Sequence, residues 1–324
     1  MKILVVRFSS IGDIVLTTPV LRCIKSQIQD VELHFATKAQ YKSLVSYNPY
    51  IDQLHLLESD FSAFVKTIKK ERFDFVVDLH HNLRTCRMKA MLQTKSKSFH
   101  KLNFQKWLTV RTKNKKYMPN LHIVDRYMET VKSLGVTYDN KGLDFFEGNE
   151  TLPIELQEIS AQPYHAVAIG GSYFTKRMPV EKLAQLLFKS TYPLILLGGK
   201  EDSAQGELLT TLLQNKKVYN LCGKLTLIQS AIMVKHCFKL ITHDTGLMHI
   251  GAAFDKPTIS IWGNTIPEFG MYPFFANDSE SAKHSVILEV KNLSCRPCSK
   301  LGFDHCPRGH FKCMRDIDFS HVEL

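Results

Sequence analysis

The 324-residue chain has no apolar run near the roughly 20 residues that a membrane-spanning helix needs, and its opening apolar stretch, Met1–Arg7, is too short for a signal peptide. Its 16 glycines and 12 prolines are too few for a collagen-like or Pro/Gly-rich disordered chain. Its 8 cysteines are too dilute for a disulfide miniprotein. No G-x-G-x-x-G follows the first apolar run and no G-x-x-x-x-G-K-[ST] occurs anywhere, which argues against dinucleotide dehydrogenases and P-loop enzymes. Acid is also missing locally, since there is no Asp or Glu from Leu79 to Val124. The expectation is a cytoplasmic globular protein.

What is present is a chain long enough for two domains, with 44% hydrophobic residues and a formal charge of +11. Of that charge, +9 lies in residues 1–150, so any charged partner there is of opposite sign. The acid-free stretch carries Arg84, Arg87, Lys89, Lys95, Lys97, Lys101, Lys106, Arg111, Lys113, Lys115 and Lys116, interleaved with Phe99, Phe104, Trp107 and Tyr117. A solvated surface, an anionic lipid or glycolipid, nucleic acid and a protein partner all fit, because charge gives the sign of a partner and not its identity.

Lys2–Arg7 reads as a buried strand, Ser9–Asp13 as a small polar loop, and Leu16, Val20, Ile24 and Ile28 as one face of a helix with Pro19 early in it. Further strands are expected at Glu32–Ala36, Phe73–Leu79, Ala166–Gly170, Leu194–Leu197, Leu240–Thr242 and Thr258–Trp262, and helices at Met128–Leu134, Val180–Lys189 and Ile228–His236. The alternation predicts an α/β architecture of doubly wound parallel sheets. Between Asp139 and Pro163 the rhythm breaks, with Asn140, Gly142, Gly148, Pro153 and Pro163, which sets expected domains of 1–155 and 156–324 facing a cleft.

Candidate chemistry lies in loops at the carboxyl ends of strands. Gly12 permits a close turn and Asp13 offers a carboxylate that is either an ordinary helix-start device or a general base. In His243–Ala253 a strand runs through Asp244 and Thr245 into a small-residue helix, whose free N–H groups suit a phosphate; a capped helix with a buried His249 is the plainer alternative. Gly170–Pro179 offers Ser172, Lys176 and Arg177 as phosphate partners or is an ordinary Gly-Gly turn with solvated cations, and Gly198–Asp202 offers an acid, Glu201 or Asp202, as acceptor for ribose hydroxyls or is a plain charged loop.

The ordered set F-S-S-I-G-D-I-V-L-T-T-P (8–19), T-K-R-M-P (175–179), L-L-G-G-K-E-D (196–202), H-D-T-G-L-M-H-I-G-A-A (243–253) and K-P-T-I-S-I-W-G-N-T (256–265) resembles glycosyltransferase family 9, the heptosyltransferases of lipopolysaccharide core synthesis. The resemblance implies a GT-B fold of two Rossmann-like domains, with the acceptor held by the first and the nucleotide sugar by the second. It implies inverting transfer without a catalytic metal, with heptose from ADP-heptose passed to a lipid-linked saccharide. By the same resemblance Asp13 is the general base, and Ser9, Ser10 and Gly12 form the acceptor-side loop. Lys176 and Ser172 contact the diphosphate, Asp202 or Glu201 holds the ribose, and Asp244, Thr245, Gly246, Leu247 and His249 make the donor loop. The implied partners are a nucleotide sugar, an anionic lipid-linked acceptor and the cytoplasmic face of the inner membrane as a peripheral contact, with no nucleic acid. Another nucleotide sugar or glycan, a non-catalytic nucleotide or nucleic-acid binder, and a sugar-nucleotide epimerase stay open as alternatives.

Cys23, Cys86, Cys222 and Cys237 read as buried apolar residues. Cys295, Cys298, Cys306 and Cys313 cluster in the Cys-rich segment 295–313, where a structural zinc with His305 or His310 in reserve, disulfides and free thiols all fit the spacing.

Overall fold

The computed structural model describes residues 1–324, which divide into two compact units, Met1–Lys101 with Leu121–Gly148, and Leu102–Asn120 with Asn149–Leu324. The first unit is built from β1 (Lys2–Val6), α1 (Ile11–Val15), α2 (Thr18–Gln27), β2 (Glu32–Lys38), β3 (Gln53–Leu57), α3 (Phe61–Lys69), β4 (Phe75–Asp78), α4 (Leu83–Leu92) and β5 (Ser96–Ser98). Its parallel sheet has the order β3-β2-β1-β4-β5. The Lys2–Val6 strand is buried on both faces, as parallel strands covered by helices require. After β5 come α5 (Asn103–Thr112), which belongs to the second unit, and α6 (Ile123–Met128), which returns to the first.

Two expectations are corrected here. The first helix is two helices: Pro19 is the second residue of α2 and has no N–H to donate to Val15, so α1 cannot run on into α2, and the Thr17 and Thr18 hydroxyls bond to Ile14 O and Val15 O at the break. The helix expected over Met128–Leu134 is α6 followed by a separate 3-10 turn at Lys132–Leu134, because the Thr130 hydroxyl donates to Tyr127 O and Gly135 closes the turn with φ +79°.

The second unit continues with α7 (Ile154–Ser160), β6 (His165–Ala168), α8 (Val180–Leu187), β7 (Leu194–Leu197), α9 (Ser203–Leu212), β8 (Val218–Asn220), α10 (Leu227–His236), β9 (Lys239–His243), α11 (Gly246–Ala253), β10 (Thr258–Trp262), α12 (Glu280–Lys283), β11 (Val286–Glu289) and α13 (Lys312–Arg315). All six strands are parallel in the order β11-β10-β9-β6-β7-β8. Numbered within the unit this is 3-2-1-4-5-6 read from its other edge, the dinucleotide-fold order. Strand order reverses between β1 and β4 in the first unit and between β6 and β9 in the second, so ligands are expected beyond the carboxyl ends of those pairs. Gly251 lets α11 lie on β9, since a Cβ there would strike the Leu240 side chain.

The acid-free stretch is not one continuous face. Lys89 pairs with Asp78 at 2.8 Å in the first unit. The 102–120 segment packs on the second unit through Leu102, Val110 and Met118 against Ile266 and Phe269. There Lys113 donates to Pro297 O at 2.8 Å and Lys115 pairs with Glu268 at 2.7 Å, so these two cations are spent on docking their own segment.

Four histidines are held neutral inside the units: burial is the first cause that pushes His55, His80, His165 and His243 each down to about 4. The folded value lies below the ordinary 6.5, so the unfolded chain binds more protons between those two pH values. Stability should therefore be intact above about pH 6.5 and fall on acidification, by up to about 1.4 kcal/mol per pH unit for each group. Urea unfolding midpoints should drop steeply from pH 7 to pH 5; a flat profile would show that these rings are not buried neutral.

Candidate functional site

In the first unit the residues after β1 and β4 meet at the switch point. Asp13 occupies the third position of α1, where its Oδ2 accepts from the Ser10 hydroxyl at 2.7 Å and from the Ser10 backbone N–H at 3.2 Å. Its Oδ1 faces Arg7 Nη2 at 2.6 Å. Arg7 is fixed in turn by donating to Ser9 O at 2.6 Å and to Leu79 O, and its guanidinium sits 5.9 Å from the centre of the Tyr127 ring. Burial works against ionising Asp13, but the Arg7 charge and the Ser10 hydrogen bonds outweigh it and hold the carboxyl below its ordinary range. Asp13 is thus an oriented, ionised carboxylate with part of its surface open to solvent.

A cleft of about 500 Å³ opens beside this loop, lined by Ser9, Lys38, His80, Asn82, Leu83 and Arg84. His80 is T-stacked on Phe8 and held neutral, while Lys38 and Arg84 give the cleft positive charge. Arg84 belongs to the acid-free stretch, whereas Lys38, His80 and Asn82 are not candidates on sequence grounds. Their signal was position alone, since each stands just past or at the carboxyl end of β2 or β4.

The second unit gathers its candidates around β6 and β9. Lys176 Nζ pairs with Asp244 Oδ2 at 2.7 Å, and the Thr265 hydroxyl reaches the same carboxylate at 3.1 Å. Thr245 precedes Gly246 at the start of α11, so the first N–H groups of this eight-residue helix follow directly on the loop that carries Asp244, the carboxylate that Lys176 reaches from the loop after β6. His243 ties the loops together, taking the Met178 N–H on Nε2 at 3.0 Å and facing Gly170 O from Nδ1 at 3.3 Å. Ser172 is exposed on the loop after β6, and within α11 Leu247 is half-buried and His249 buried.

Glu201 and Asp202 stand very differently. Asp202 is buried, accepts from the Gly199 N–H at 2.9 Å and pairs with Arg177 at 3.2 Å. A Cβ at Gly170 would lie 2.5 Å from its Oδ2 and one at Gly198 2.8 Å, so the carboxylate fills the space that two glycines leave between neighbouring loops. Glu201 is exposed.

The Cys-rich segment is woven into the second unit, with Phe311, Cys313 and Met314 in its core. All eight cysteines are free thiols, and Cys86 on α4 is exposed rather than buried as expected, because its helix packs inward through Thr85, Met88 and Leu92. The zinc expectation at Cys295, Cys298, Cys306 and Cys313 is not met by the geometry: no group of three His, Cys, Asp or Glu side chains stands in metal-holding arrangement. Cys295 and His310 approach to 3.8 Å, and Cys313 lies in the core, where burial first and then the nearby Cys298, Cys306 and Cys295 push its thiol up to about 12. The residue that fixes this segment is Arg296, which donates to Gly263 O at 2.6 Å and Thr265 O at 2.7 Å and pairs with Glu289 at 2.5 Å. Arg296→Met leaves those acceptors buried and unpaired, so urea denaturation should show a loss of about 3–5 kcal/mol. A loss under about 1 kcal/mol would mean that water replaces the guanidinium.

Two parallel-sheet units of this order, each with its candidate polar groups at the switch point, make the GT-B fold, the architecture of one class of glycosyltransferases. The chain matches the model of glycosyltransferase family 9 (heptosyltransferase) over residues 61–300, and it belongs to that family. It is 24% identical over 324 residues to lipooligosaccharide heptosyltransferase 2 of Campylobacter jejuni serotype O:2, covering 98% of this chain and 94% of that one. Among solved structures it is similar to a family 9 glycosyl transferase of Veillonella parvula (TM-score 0.70, 22% identity, 89% of this chain and 86% of that one). It is also similar to Escherichia coli ADP-heptose lps heptosyltransferase II (TM-score 0.67, 17% identity, 96% and 97%). The chain is a glycosyltransferase, and no helix in it is long and apolar enough to cross a membrane.

Proposed function

We propose that this enzyme transfers heptose from ADP-heptose, with inversion, to a lipopolysaccharide core or related lipid-linked saccharide, without a catalytic metal. The observation that carries the donor half is the Lys176–Asp244 pair beside the open start of α11. An incoming diphosphate finds a cation and helix-end amides there, while the Asp244 carboxylate, which cannot face phosphate, is left to accept sugar hydroxyls. Ser172 adds a hydroxyl donor to the diphosphate, and Thr245, Gly246 and Leu247 supply the loop and amides over a floor that includes His249. For the ribose we assign Glu201, which is exposed, and give Asp202 the task of fixing the two glycine loops.

The acceptor half rests on the Ser9–Asp13 loop and the positive cleft next to it, which suits an anionic, phosphate-bearing saccharide. Asp13 takes the proton of the acceptor hydroxyl as its oxygen bonds to the anomeric carbon. The bond from that carbon to the diphosphate breaks, and the electron pair leaves on the nucleotide. Arg7 and Ser10 leave the carboxylate little freedom to turn away from an acceptor bound beside Gly12. The similar Escherichia coli protein is named for ADP-heptose and lipopolysaccharide, which supports the same donor and acceptor class here.

Turnover of a panel of ADP-, UDP- and GDP-sugars with a lipid-A-type acceptor tests this reading. Product with ADP-heptose is expected, and product only with another donor replaces the sugar and leaves the mechanism. Conversion of donor with no acceptor present would instead mark an epimerase.

A further inference from the structure

We propose that the outer face of α5 is a docking surface for an anionic lipid bilayer, with Phe104 and Trp107 lying in the interface and Arg111 and Lys116 meeting the headgroups. The partner deepens the proposed function, because it rests on the acceptor being lipid-linked.

The two faces of α5 are sharply different. Its inner stripe, Leu102, Lys106, Thr109 and Lys113, is engaged: Leu102 packs with Ile266 and Phe269, Lys106 lies 5.8 Å from the Phe269 ring centre, Thr109 is buried and Lys113 bonds to Pro297 O. Its outer stripe is Phe104, Trp107 and Arg111, spaced one helical turn apart. Phe104 is 68% exposed and Trp107 58%, and their rings stack at 6.0 Å with 26° between planes, so a flat apolar plate is held open to solvent on a helix whose other side is fully used. Tyr117 and Lys116 are exposed on the 3-10 turn that follows, Lys115–Tyr117.

Aromatic rings flanked by cations, on a helix too short and too polar to span, suit the headgroup boundary of a bilayer, where the rings sit at the apolar edge and Arg or Lys reaches phosphate. The charge selects the occupant. No acid lies between Leu79 and Val124, so nothing in this stretch opposes an anionic surface. A second copy docked symmetrically on the same patch would bring two cationic faces, each with Arg111 and Lys116 and no acid of this stretch, against one another, which is repulsive.

The chain has two tryptophans, and Trp262 is 1% exposed, so a change in tryptophan emission on binding reports Trp107. Titration of the whole protein with phosphatidylglycerol/phosphatidylethanolamine vesicles should shift emission to the blue, and phosphatidylcholine vesicles should not. In co-sedimentation, Phe104→Ser/Trp107→Ser should weaken binding by about tenfold or more, and Arg111→Glu/Lys116→Glu should weaken it most at low salt. Both pairs are exposed and should leave the unfolding midpoint in place. Turnover on a water-soluble acceptor saccharide should be the same in these variants as in the parent. If the parent shows no transfer with any nucleotide sugar yet binds vesicles through these residues, the enzymatic reading fails and the docking surface stands. No binding to anionic vesicles, binding unaffected by Phe104→Ser/Trp107→Ser, or self-association abolished by that variant would overturn the proposal.

Discussion

Asp13→Asn is expected to lower turnover by about 10²–10⁴-fold, the range for removing a positioned base, while ADP binding stays at the parent level. Asn keeps the size of the side chain and an oxygen for Ser10, but it cannot take a proton. The low pKa of Asp13 does not argue against the role. An acceptor hydroxyl becomes acidic only as its oxygen bonds to the anomeric carbon, so what matters before that moment is that the carboxylate is ionised and aimed. Arg7 supplies both conditions. The sign for pH follows: a carboxyl held below its ordinary range is competent above that depressed value, so the acid limb of kcat/KM should lie below the ordinary carboxylate range. Arg7→Met removes the main lowering influence, and the limb should move up. Asp13→Asn with more than about a tenth of the parent turnover would remove Asp13 as the base, since that is less than the smallest effect such a group contributes.

Much of this arrangement is legible in the chain, for identifiable reasons. Parallel strands buried on both faces read as largely apolar runs, so β1, β2, β7 and β10 stand out, and the polar loops after them fall at the carboxyl ends of the strands, where open parallel sheets place their ligands. Short strands such as β5, Ser-Lys-Ser, carry no apolar signal because they lie at an edge. Helix α5 is hidden for a different reason: its buried stripe is half polar, with Lys106 and Lys113 inward and Phe104 and Trp107 outward, the reverse of the pattern by which helices are recognised. Its packing partners Ile266 and Phe269 are far away in sequence.

Site chemistry fails to read through wherever adjacency cannot say which way a side chain points. Glu201 and Asp202 are neighbours with the same charge, and only the space left by Gly170 and Gly198 decides that Asp202 turns in. The thiols show the same limit. Their spacing allows a metal, but Cys313 sits on a helix that faces the core, and the segment is fixed by the Arg296 guanidinium lodged among carbonyls from the loop after β10.

Lys176→Met should lower kcat by about 10²–10³-fold, as expected for removing one group that stabilises charge developing on a leaving group, and should weaken ADP binding as well. Lys176 already has a partner in Asp244, so the loss has two readings that a second substitution separates. If the lysine serves only to neutralise a buried carboxylate, Lys176→Met leaves Asp244 unpaired, and adding Asp244→Asn relieves it, so the double variant recovers activity and affinity. If the lysine meets the diphosphate, Asp244→Asn cannot replace that cation, and the double variant stays as poor as Lys176→Met or worse. The coupling energy from this cycle therefore reports the role directly. A strongly favourable coupling that restores kcat would confine Lys176 to holding its loop, whereas near-additive losses, with Lys176→Arg rescuing ADP binding in part, would place the positive charge against the leaving nucleotide. Arg should rescue only partly, because its planar fork must occupy a space now filled by a compact ammonium 2.7 Å from Asp244 and 3.4 Å from the Asp244 carbonyl.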